Sequence, residues 1–559
     1  RACVAISRLQ RLHSLHRRRP RPHSLYLDAL LTRSLTTTAH HPHHHHAHQH
    51  HHAHHAHHHH AHHHHAHRHQ QQQQQQQQLM MMRTAHQGSL GGSTAFYASG
   101  FGGQHHGQAV RASLPPKEVD EAVLQALRDT GVLSNPNHLQ WNWDLIRTLL
   151  KWPGLTLKSC KEEMMHRFVR RLLHFVTPSA RLFSCVDAAL ESGRSISLSA
   201  LDLTTFLLHS DDDGVTYLDE LLKDIVSWLS MCPSLSGGSE RCLSASPLSS
   251  TLSSTYPLIL GSLTPHSRGL KALEKAGVFQ TLLRLCGDKS QELLMRLVVT
   301  ACDYCQDGLA RVLLSKTLTG GTESTRVYAT LHLRVLLRIG VDFFTNWGVE
   351  LLLTQLHDPS PSVAHHALTI LHEACDDKAN LHALVQMKPA LSHLGESGAL
   401  LLIRFASISK GFSYLNERGF ITKELERWRR EYNVRYVDIV EQHLNDALTT
   451  WTRGQGDARR SSQRTPRPSV FLPPHFYGQL SNHKTGAHLL EAQIFPALVY
   501  DIRNISASTW EDIKRLKAAL WALGHIGATM WGLSLLEEEG VTGDIVRMAE
   551  TCSVLSVRG

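Results

Sequence analysis

Three arginines within five positions are the residues whose type and spacing could do chemistry. Arg167, Arg170 and Arg171 stand at i, i+3 and i+4, so a helix would carry all three guanidinium groups on one face. Like charges at this spacing repel by roughly 0.2–0.5 kcal/mol per pair. Either a carboxylate such as Glu163, four residues before Arg167, relieves this repulsion, or a bound anion does. Guanidinium forks suit phosphate oxygens, so a phosphate site and a salt-bridged surface are the two hypotheses.

The other motifs predict no catalysis. His372–Glu373 begins an HExxH-like sequence, but Asp376 stands where the second histidine of a zinc protease would be. Neither a GxxxxGK[ST] phosphate loop nor a GxSxG nucleophile elbow occurs in the sequence. Cys302 and Cys305 form a CxxC pair without the second pair of a zinc ribbon. We therefore predict no catalytic residue, no metal site and no enzyme activity.

Three polar segments interrupt the chain. A His/Gln/Gly-rich insert at 38–114 has a composition that cannot form a packed core, so we predict that it is disordered. A Ser-rich linker is predicted at 233–254 and a basic flexible linker at 453–469. In the basic linker, Arg459 and Arg460 precede Ser461 and Ser462, a pattern typical of basophilic kinase sites, and Ser462 is a candidate phosphosite.

Between these breaks, the spacing of apolar residues predicts amphipathic helices. Ser360 and Pro361 provide a helix start, and the apolar positions from Val363 to Ala374 then form one stripe. Neighbouring helices follow across short turns, as in Arg326–Ile339, Asn346–His357 and Ser362–Cys375, or Lys514–Leu523, Trp531–Glu539 and Thr542–Ala549. Such helices bury their apolar faces by stacking. The predicted fold is all-α, an irregular armadillo/HEAT-like helical repeat solenoid with disordered inserts.

Composition excludes some classes of protein. The net charge of +9 is diffuse and does not by itself select a nucleic acid, a membrane surface or an acidic protein. Aromatic residues are not interleaved with the arginines as single-strand binding requires, so we expect no nucleic-acid partner. No apolar run is long enough for a transmembrane segment. Ten cysteines without a disulfide rhythm, and no secretion signal, indicate a cytosolic or nuclear protein.

Several phrases of the sequence resemble the Rictor family, the rapamycin-insensitive companions of the TOR kinase. They include WNWDLIRTLLKWP at Trp141–Pro153, HRFVRRLL at His166–Leu173, DDKANLHALVQMKPALSHLG at Asp376–Gly395 and KGFSYLNERGF at Lys410–Phe420. The resemblance covers nearly everything except the His/Gln/Gly-rich insert. It implies an internal piece of such a protein, without its N-terminal repeats and its long C-terminal region.

The expected organisation follows the breaks and the resemblance together. We expect a helical repeat piece at 1–37, the insert at 38–114, a helical middle region with the arginine cluster at 115–232, the Ser-rich linker at 233–254, helical repeats at 255–452, the basic linker at 453–469 and armadillo-like repeats, truncated at the C-terminus, at 470–559. The resemblance further implies a RasGEF N-terminal-like segment at about 307–419. The exchange domain that would make it a nucleotide exchange factor is absent, so no exchange activity is expected.

The resemblance implies a non-catalytic scaffold subunit of TOR complex 2. Such a subunit joins the TOR kinase, an Lst-type WD40 subunit and a Sin-type substrate-recruiting subunit, so that AGC kinases such as Akt are phosphorylated and the actin cytoskeleton is regulated. The implied location is cytoplasmic, peripheral at membranes through the complex. Without the resemblance, a generic armadillo/HEAT adaptor, either a transport receptor or a GTPase regulator, is the alternative.

The resemblance also bears on the arginines, because the family holds an ATP-like nucleotide on a basic surface. The matching arginines are Arg167, Arg170 and Arg171, so the resemblance implies a structural ATP at this cluster, and we expect no cofactor to be required. The family's lysine and asparagine contacts from the preceding loop fall on Pro136 and His138, and His174 replaces a tyrosine. Since proline offers no cation, we expect a weaker site or its loss.

Overall fold

The computed structural model describes residues 116–152, 155–158, 162–230, 243–449, 472–554 and 557. The predicted repeat piece at 1–37, the insert at 38–114, and the basic linker at 453–469 with Ser462 lie outside these residues. Within the described ranges the secondary structure is helical, with no β-strand and one isolated antiparallel bridge between Asp187 and Thr251. The all-α, armadillo/HEAT-like class is confirmed.

The chain divides into two compact units, whose boundary lies between Ala329 and Thr330 inside one long helix, α12 (Glu323–Ile339). We call them the N-terminal and the C-terminal unit. The helices of the N-terminal unit before α12 are α1 Pro116–Asp129, α2 Trp143–Leu150, α3 Glu162–Val176, α4 Gly193–His209, α5 Asp212–Ser230, α6 Ala245–Ser250, α7 Thr255–Leu263, α8 Ser267–Lys275, α9 Val278–Leu285, α10 Glu292–Ala301 and α11 Leu309–Gly320.

The C-terminal unit continues the helical pattern. Its helices after α12 are α13 Phe344–Gln355, α14 Pro361–Ala374, α15 Lys378–Met387, α16 Gly395–Phe405, α17 Ser409–Glu417, α18 Phe420–Arg427, α19 Asn433–Thr449, α20 Phe476–Leu480, α21 Lys484–Gln493, α22 Phe495–Asn504, α23 Trp510–Gly527, α24 Met530–Glu538 and α25 Val541–Thr551. A π-helical turn, Trp428–Tyr432, joins α18 to α19. Short 3-10 turns occur at His138–Gln140, Pro178–Ala180, Phe183–Cys185, Leu252–Ser254, Lys289–Gln291 and Ser392–Leu394.

One helix lies at the centre of each unit. In the N-terminal unit, α4 packs against α2, α5 and α7, and small residues such as Ser197 and Ala200 on its buried faces allow close approach. In the C-terminal unit, α23 contacts α19, α20, α22 and α24 through buried positions that include Ala518, Ala519 and Ala522. The predicted helix Lys514–Leu523 was too short at its start, because Thr509 and Asp512 form a capping box there.

The second half of the predicted Ser-rich linker needs correction. Residues 233–242 lie outside the described part, but the following serine-rich sequence forms α6 and a 3-10 turn. Leu248 and Leu252 are buried there, and Ser253 donates a hydrogen bond to the carbonyl oxygen of Ser184 at 3.3 Å. Because its serine hydroxyls donate to backbone carbonyl oxygens, this polar sequence packs against the core.

A repeated nine-residue pattern marks the short helices. A glycine at the third helical position is followed by a buried leucine four residues later and by a left-handed glycine after four more: Gly269, Leu273, Gly277; Gly411, Leu415, Gly419; Gly532, Leu536, Gly540. The left-handed glycines are the caps from which α9, α18 and α25 begin. This is the sequence signature of the repeat, and the spacing of apolar residues alone did not predict it.

The first glycine of each repeat permits a backbone contact. A Cβ atom on Gly269, Gly411 or Gly532 would lie well inside van der Waals distance of the carbonyl oxygen six residues earlier, at the end of the preceding helix. Gly486 in α21 makes the same approach to Leu480. Because these positions have no side chain, each of these helices can begin close to the end of the helix before it.

A degenerate copy of the pattern occupies α15. Asn380 stands at the position of the first glycine, Leu384 is buried, and Lys388 takes the left-handed position with a φ of 49°. A side chain with a Cβ is disfavoured in this conformation by roughly 1–2 kcal/mol. We therefore interpret Lys388 as the residue that occupies the left-handed glycine position of this repeat.

Lys388→Gly should raise the free energy of unfolding by about 0.5–1 kcal/mol, because the glycine relieves the left-handed strain at some entropic cost. The control is Lys388→Ala, which also removes the contact of the ammonium group with the Tyr414 ring, 5.8 Å away, but keeps the Cβ atom. Denaturant unfolding of both variants is the measurement. Equal stabilities would contradict a strained Lys388.

Candidate functional site

Helix α3 presents the arginine cluster on its exposed side. Its opposite face is anchored in the core of the N-terminal unit by fully buried apolar side chains, among them Met165, Phe168, Val169, Leu172 and Phe175. This stripe fixes the rotation of α3 about its axis. Arg167 and Arg170 are consequently exposed, and Arg171 is half-buried.

The three guanidinium groups have different partners. Arg170 donates from Nε to the hydroxyl of Tyr217 at 3.0 Å, and this bond raises the arginine's pKa above its ordinary high value. Arg171 donates from Nη2 to the carbonyl oxygen of Asn135 at 3.2 Å and lies over the Trp141 ring at 5.8 Å. Within the described residues, Arg167 makes no hydrogen bond, ion pair or ring contact.

Glu163 does not relieve the repulsion between the arginines. Glu163 is exposed, and in the described part of the chain it makes no ion pair with Arg167. The partners of Arg170 and Arg171 are a hydroxyl and a carbonyl group, which orient a guanidinium without neutralising its charge. Glu220 acts on Arg170 only as a more distant charge. The face therefore keeps three positive charges that no carboxylate of the described residues contacts directly.

A loop between α1 and α2 borders the cluster. Its backbone is held by Trp141, whose indole nitrogen donates to the carbonyl oxygen of Asn135 at 3.0 Å. In this loop the His138 ring stacks on Phe175 with centroids 5.0 Å apart and meets Trp141 edge-on at 4.7 Å. Burial lowers the pKa of His138, and the nearby charges of Arg171 and His174 lower it further.

The sequence-predicted residues thus fall into two groups. Arg171, His138 and His174 come together at one end of the cluster, while Arg170 faces Tyr217 on α5. Pro136 is exposed beside Asn135 and supplies no charge. Tyr217 and Asn135 were missed by sequence reasoning, because their positions follow from the packing of α5 and of the loop onto α3. The arrangement can bind an anion through guanidinium groups that are already oriented.

The other motifs have structural roles. Glu373 accepts hydrogen bonds from Nε of Arg334 at 2.7 Å and of Arg338 at 2.6 Å, and these guanidinium groups lower its pKa against the effect of burial, the largest influence on it. Burial raises the pKa of Cys302 to about 12, so its thiol stays protonated. Arg311 fastens the following loop through the carbonyl oxygens of Tyr304 and Cys305.

The described residues hold neither a candidate metal site nor a candidate membrane span. They contain no group of three or more histidine, cysteine, aspartate or glutamate side chains placed to hold a metal ion. Among them, no helix is both long and apolar enough to cross a membrane.

Three family models match the chain. They describe the rapamycin-insensitive companion of mTOR: its middle domain matches residues 235–337, its RasGEF_N domain matches 343–450, and its domain 5 matches 514–559. The RasGEF_N match begins and ends later than the segment predicted at about 307–419. Helix α3 lies in none of these three matches.

Curated relatives align over most of the chain. The proteins named rapamycin-insensitive companion of mTOR from Mus musculus and Homo sapiens are each 54% identical over 79% of this chain and 26% of their own length. The Schizosaccharomyces pombe protein named target of rapamycin complex 2 subunit ste20 is 32% identical over 82% of this chain and 35% of its own length. The chain therefore spans about a quarter of the length of its mammalian relatives. With three family models and these relatives in agreement, the chain belongs to the Rictor family.

Proposed function

We propose that this chain is part of a non-catalytic scaffold subunit of TOR complex 2. The observation that carries the proposal is its similarity to fungal proteins named as subunits of that complex, from Schizosaccharomyces pombe and Saccharomyces cerevisiae. The scaffold holds the TOR kinase, the Lst-type subunit and the Sin-type subunit together, so that AGC kinases such as Akt are phosphorylated. It acts in the cytoplasm, peripherally at membranes, and through this complex it influences actin.

The physical basis of scaffolding is effective concentration. A kinase and a substrate-recruiting subunit bound to one body meet far more often than free molecules do, and no reactive residue is needed on the scaffold. Stacked helical repeats suit this task because they offer a large surface relative to their core. In the described residues, the clusters that resemble catalytic motifs are fixed in structural roles, as Glu373 is by Arg334 and Arg338.

Co-purification tests the proposal against its alternative. The tagged chain, expressed in cells, should recover the TOR kinase and the Sin-type subunit. Recovery of transport cargo or of a small GTPase instead would favour the generic armadillo/HEAT adaptor. Phosphorylation or hydrolysis of any substrate by the purified chain alone would contradict a non-catalytic role.

We further infer that the arginine cluster binds the phosphates of an ATP-like nucleotide as a structural ligand. Three cations on one helix face lack a contacting carboxylate in the part of the chain that the structure describes, and Tyr217 and Asn135 hold two of them in fixed directions. The buried Trp141 ring lies under the guanidinium group of Arg171, and His138 meets that ring edge-on at the same end of the cluster. No general base is required, because the ligand would serve as a brace between α3 and the loop before α2.

Arg167→Ala/Arg171→Ala should weaken the binding of ATP by at least about tenfold, since two charge-assisted contacts to phosphate are lost. The matched control is Arg128→Ala/Arg284→Ala, which removes two exposed arginines elsewhere in the same unit. Isothermal titration with ATP and with inorganic phosphate is the measurement. Equal affinities of the wild type and the cluster variant for ATP would contradict the proposed nucleotide site.

Binding should also strengthen in mild acid. The pKa of His138 lies below its ordinary 6.5, so the ring is neutral at pH 7 and gains a positive charge as the pH falls. A bound phosphate favours that charged form, and linkage then makes anion binding take up a proton. His138→Asn should flatten the increase in affinity as the pH falls below 7. Since the ligand's own titration is common to both proteins, parallel pH profiles would contradict this role of His138.

A further inference from the structure

A groove on the surface of the C-terminal unit is lined by residues of α22 and by the C-terminal part of α24. It encloses a volume of about 340 Å³. Phe495, Val499 and Leu535 form its apolar floor, and each of these side chains is more than nine-tenths buried. Pro496 is an exposed residue of the groove lining. The floor can therefore accept apolar side chains without a rearrangement of the core.

The rim of the groove is acidic. Glu491, Glu538 and Glu539 line it, and among the described residues neither Glu538 nor Glu539 forms an ion pair. The one cation in the lining, Arg503, is already committed: it pairs with Asp544 at 2.7 Å and donates to the carbonyl oxygen of Glu539. The groove is therefore acidic, although the net charge of the whole chain is +9.

An exposed aromatic ring completes the site. Tyr500 belongs to the groove lining and is 63% exposed. Helix α24 also leaves Met530, Trp531 and Leu533, which are not part of the groove lining, at least 40% exposed. Large apolar side chains in water beside a groove mark interaction surfaces, and a tyrosine face near carboxylates attracts cations.

We propose that the α22–α24 groove docks a basic amphipathic helix of a partner protein. Apolar residues of that helix, one turn apart, enter the groove over Phe495 and Leu535, while its flanking lysines or arginines face Glu491, Glu538 and Glu539. The charge of the rim selects this occupant, because an acidic or phosphorylated segment would be repelled. The site is separate from the arginine cluster and does not depend on nucleotide binding.

The test uses the whole chain and a fluorescent peptide probe. The probe is a synthetic helix of about 18 residues, five turns, with leucines at i, i+3, i+4 and i+7 and lysines on its other faces. Two companion peptides replace all lysines by glutamate or all leucines by serine. Fluorescence anisotropy should detect the lysine–leucine peptide with an affinity that falls as salt is added. Equal binding of the glutamate or the serine peptide would overturn the proposal.

Groove variants locate the binding. Glu538→Lys/Glu539→Lys should weaken the lysine–leucine peptide by about tenfold, and Tyr500→Ala should weaken it several-fold. The charge-matched control is Glu417→Lys/Glu426→Lys, which changes two exposed carboxylates outside the groove. Phe343→Ala, at a side chain 71% exposed and also outside the groove, controls for general apolar adhesion. If the controls weaken binding as much as the groove variants do, the groove is not the docking site.

Discussion

Replacing Gly411 by alanine should lower the free energy of unfolding of the C-terminal unit by about 2–4 kcal/mol. Gly411 is the third residue of α17, and a Cβ atom there would press against the carbonyl group of Phe405, the last residue of α16. That oxygen already accepts from the backbone nitrogen of Ile408 at 3.3 Å and cannot move without opening the turn. A clash with backbone is costly, because no flexible side-chain end can yield.

The C-terminal unit supplies a matched control. Gly524 lies inside α23, is exposed, and has nothing within 4 Å of the position a Cβ atom would take. Gly524→Ala should therefore stabilise the unit by about 0.5–1 kcal/mol, through helix propensity alone. Denaturant unfolding, with amide hydrogen exchange in α16 and α17 as the local readout, separates the two outcomes. A Gly411→Ala protein as stable as the wild type would show that the turn between α16 and α17 tolerates a side chain.

Acidification should destabilise the C-terminal unit strongly between about pH 6.5 and pH 4. His475 and His525 stack face to face, with centroids 4.7 Å apart. Burial holds the pKa of His525 at about 4, and burial together with His525 keeps that of His475 well below 6.5. Burial likewise lowers the pKa of His332 to about 4 and that of His372 to about 3.

The sign follows from proton counting. Below pH 6.5 the unfolded chain binds protons at these histidines, while the folded unit keeps them neutral, so the free energy of unfolding falls as the pH falls. Each histidine contributes up to about 1.4 kcal/mol per pH unit until its folded pKa is reached. Four such histidines make the loss roughly 5–6 kcal/mol at pH 5.5, comparable with the whole stability of a typical domain.

His525→Gln isolates one of these contributions. Glutamine does not titrate, yet it can replace the contact between Nε2 of His525 and the Tyr436 hydroxyl, 3.3 Å apart. The variant should lose less stability than the wild type between pH 7.5 and pH 5.5, by about 1.4 kcal/mol. The matched control is His382→Gln, at an exposed histidine of the same unit. Identical slopes for His525→Gln and the wild type would contradict a neutral buried His525.

Sequence reasoning was most successful where the signal is local. The Arg326–Ile339, Asn346–His357 and Ser362–Cys375 predictions correspond to α12, α13 and α14, with ends shifted by up to three residues. Periodicity and helix starts are properties of a few consecutive residues, so they are visible without a fold. Helix ends were less accurate where capping residues extend the helix, as Thr509 and Asp512 do for α23.

The repeat was harder to recognise. Within the described ranges, three copies keep both glycines, whereas Asn380 and Lys388 replace them in α15. What the glycines have in common is a contact with the preceding helix, and sequence alone does not show that contact.

The candidate site follows the same division. The i, i+3, i+4 spacing correctly placed three arginines on one exposed side of α3, and it left open whether a carboxylate relieves them. The partners that the structure shows are Tyr217, which is 47 positions from Arg170, and Asn135, which is 36 positions from Arg171. Such long-range partners depend on how α5 and the loop pack, and no pattern within α3 encodes them.

The close backbone contacts at Gly411 and Gly532 also predict how an inherited change at these glycines would be detected. At Gly411 and at Gly532, an added methyl group would collide with a carbonyl group of the preceding helix, and we expect this collision to open the turn. A missense change there would act through quality control: more of the newly made chain would be open, and proteases would remove it. A cell carrying it would contain less of the protein, while each surviving folded molecule worked normally, so immunoblot abundance would reveal the defect and an assay per molecule would not.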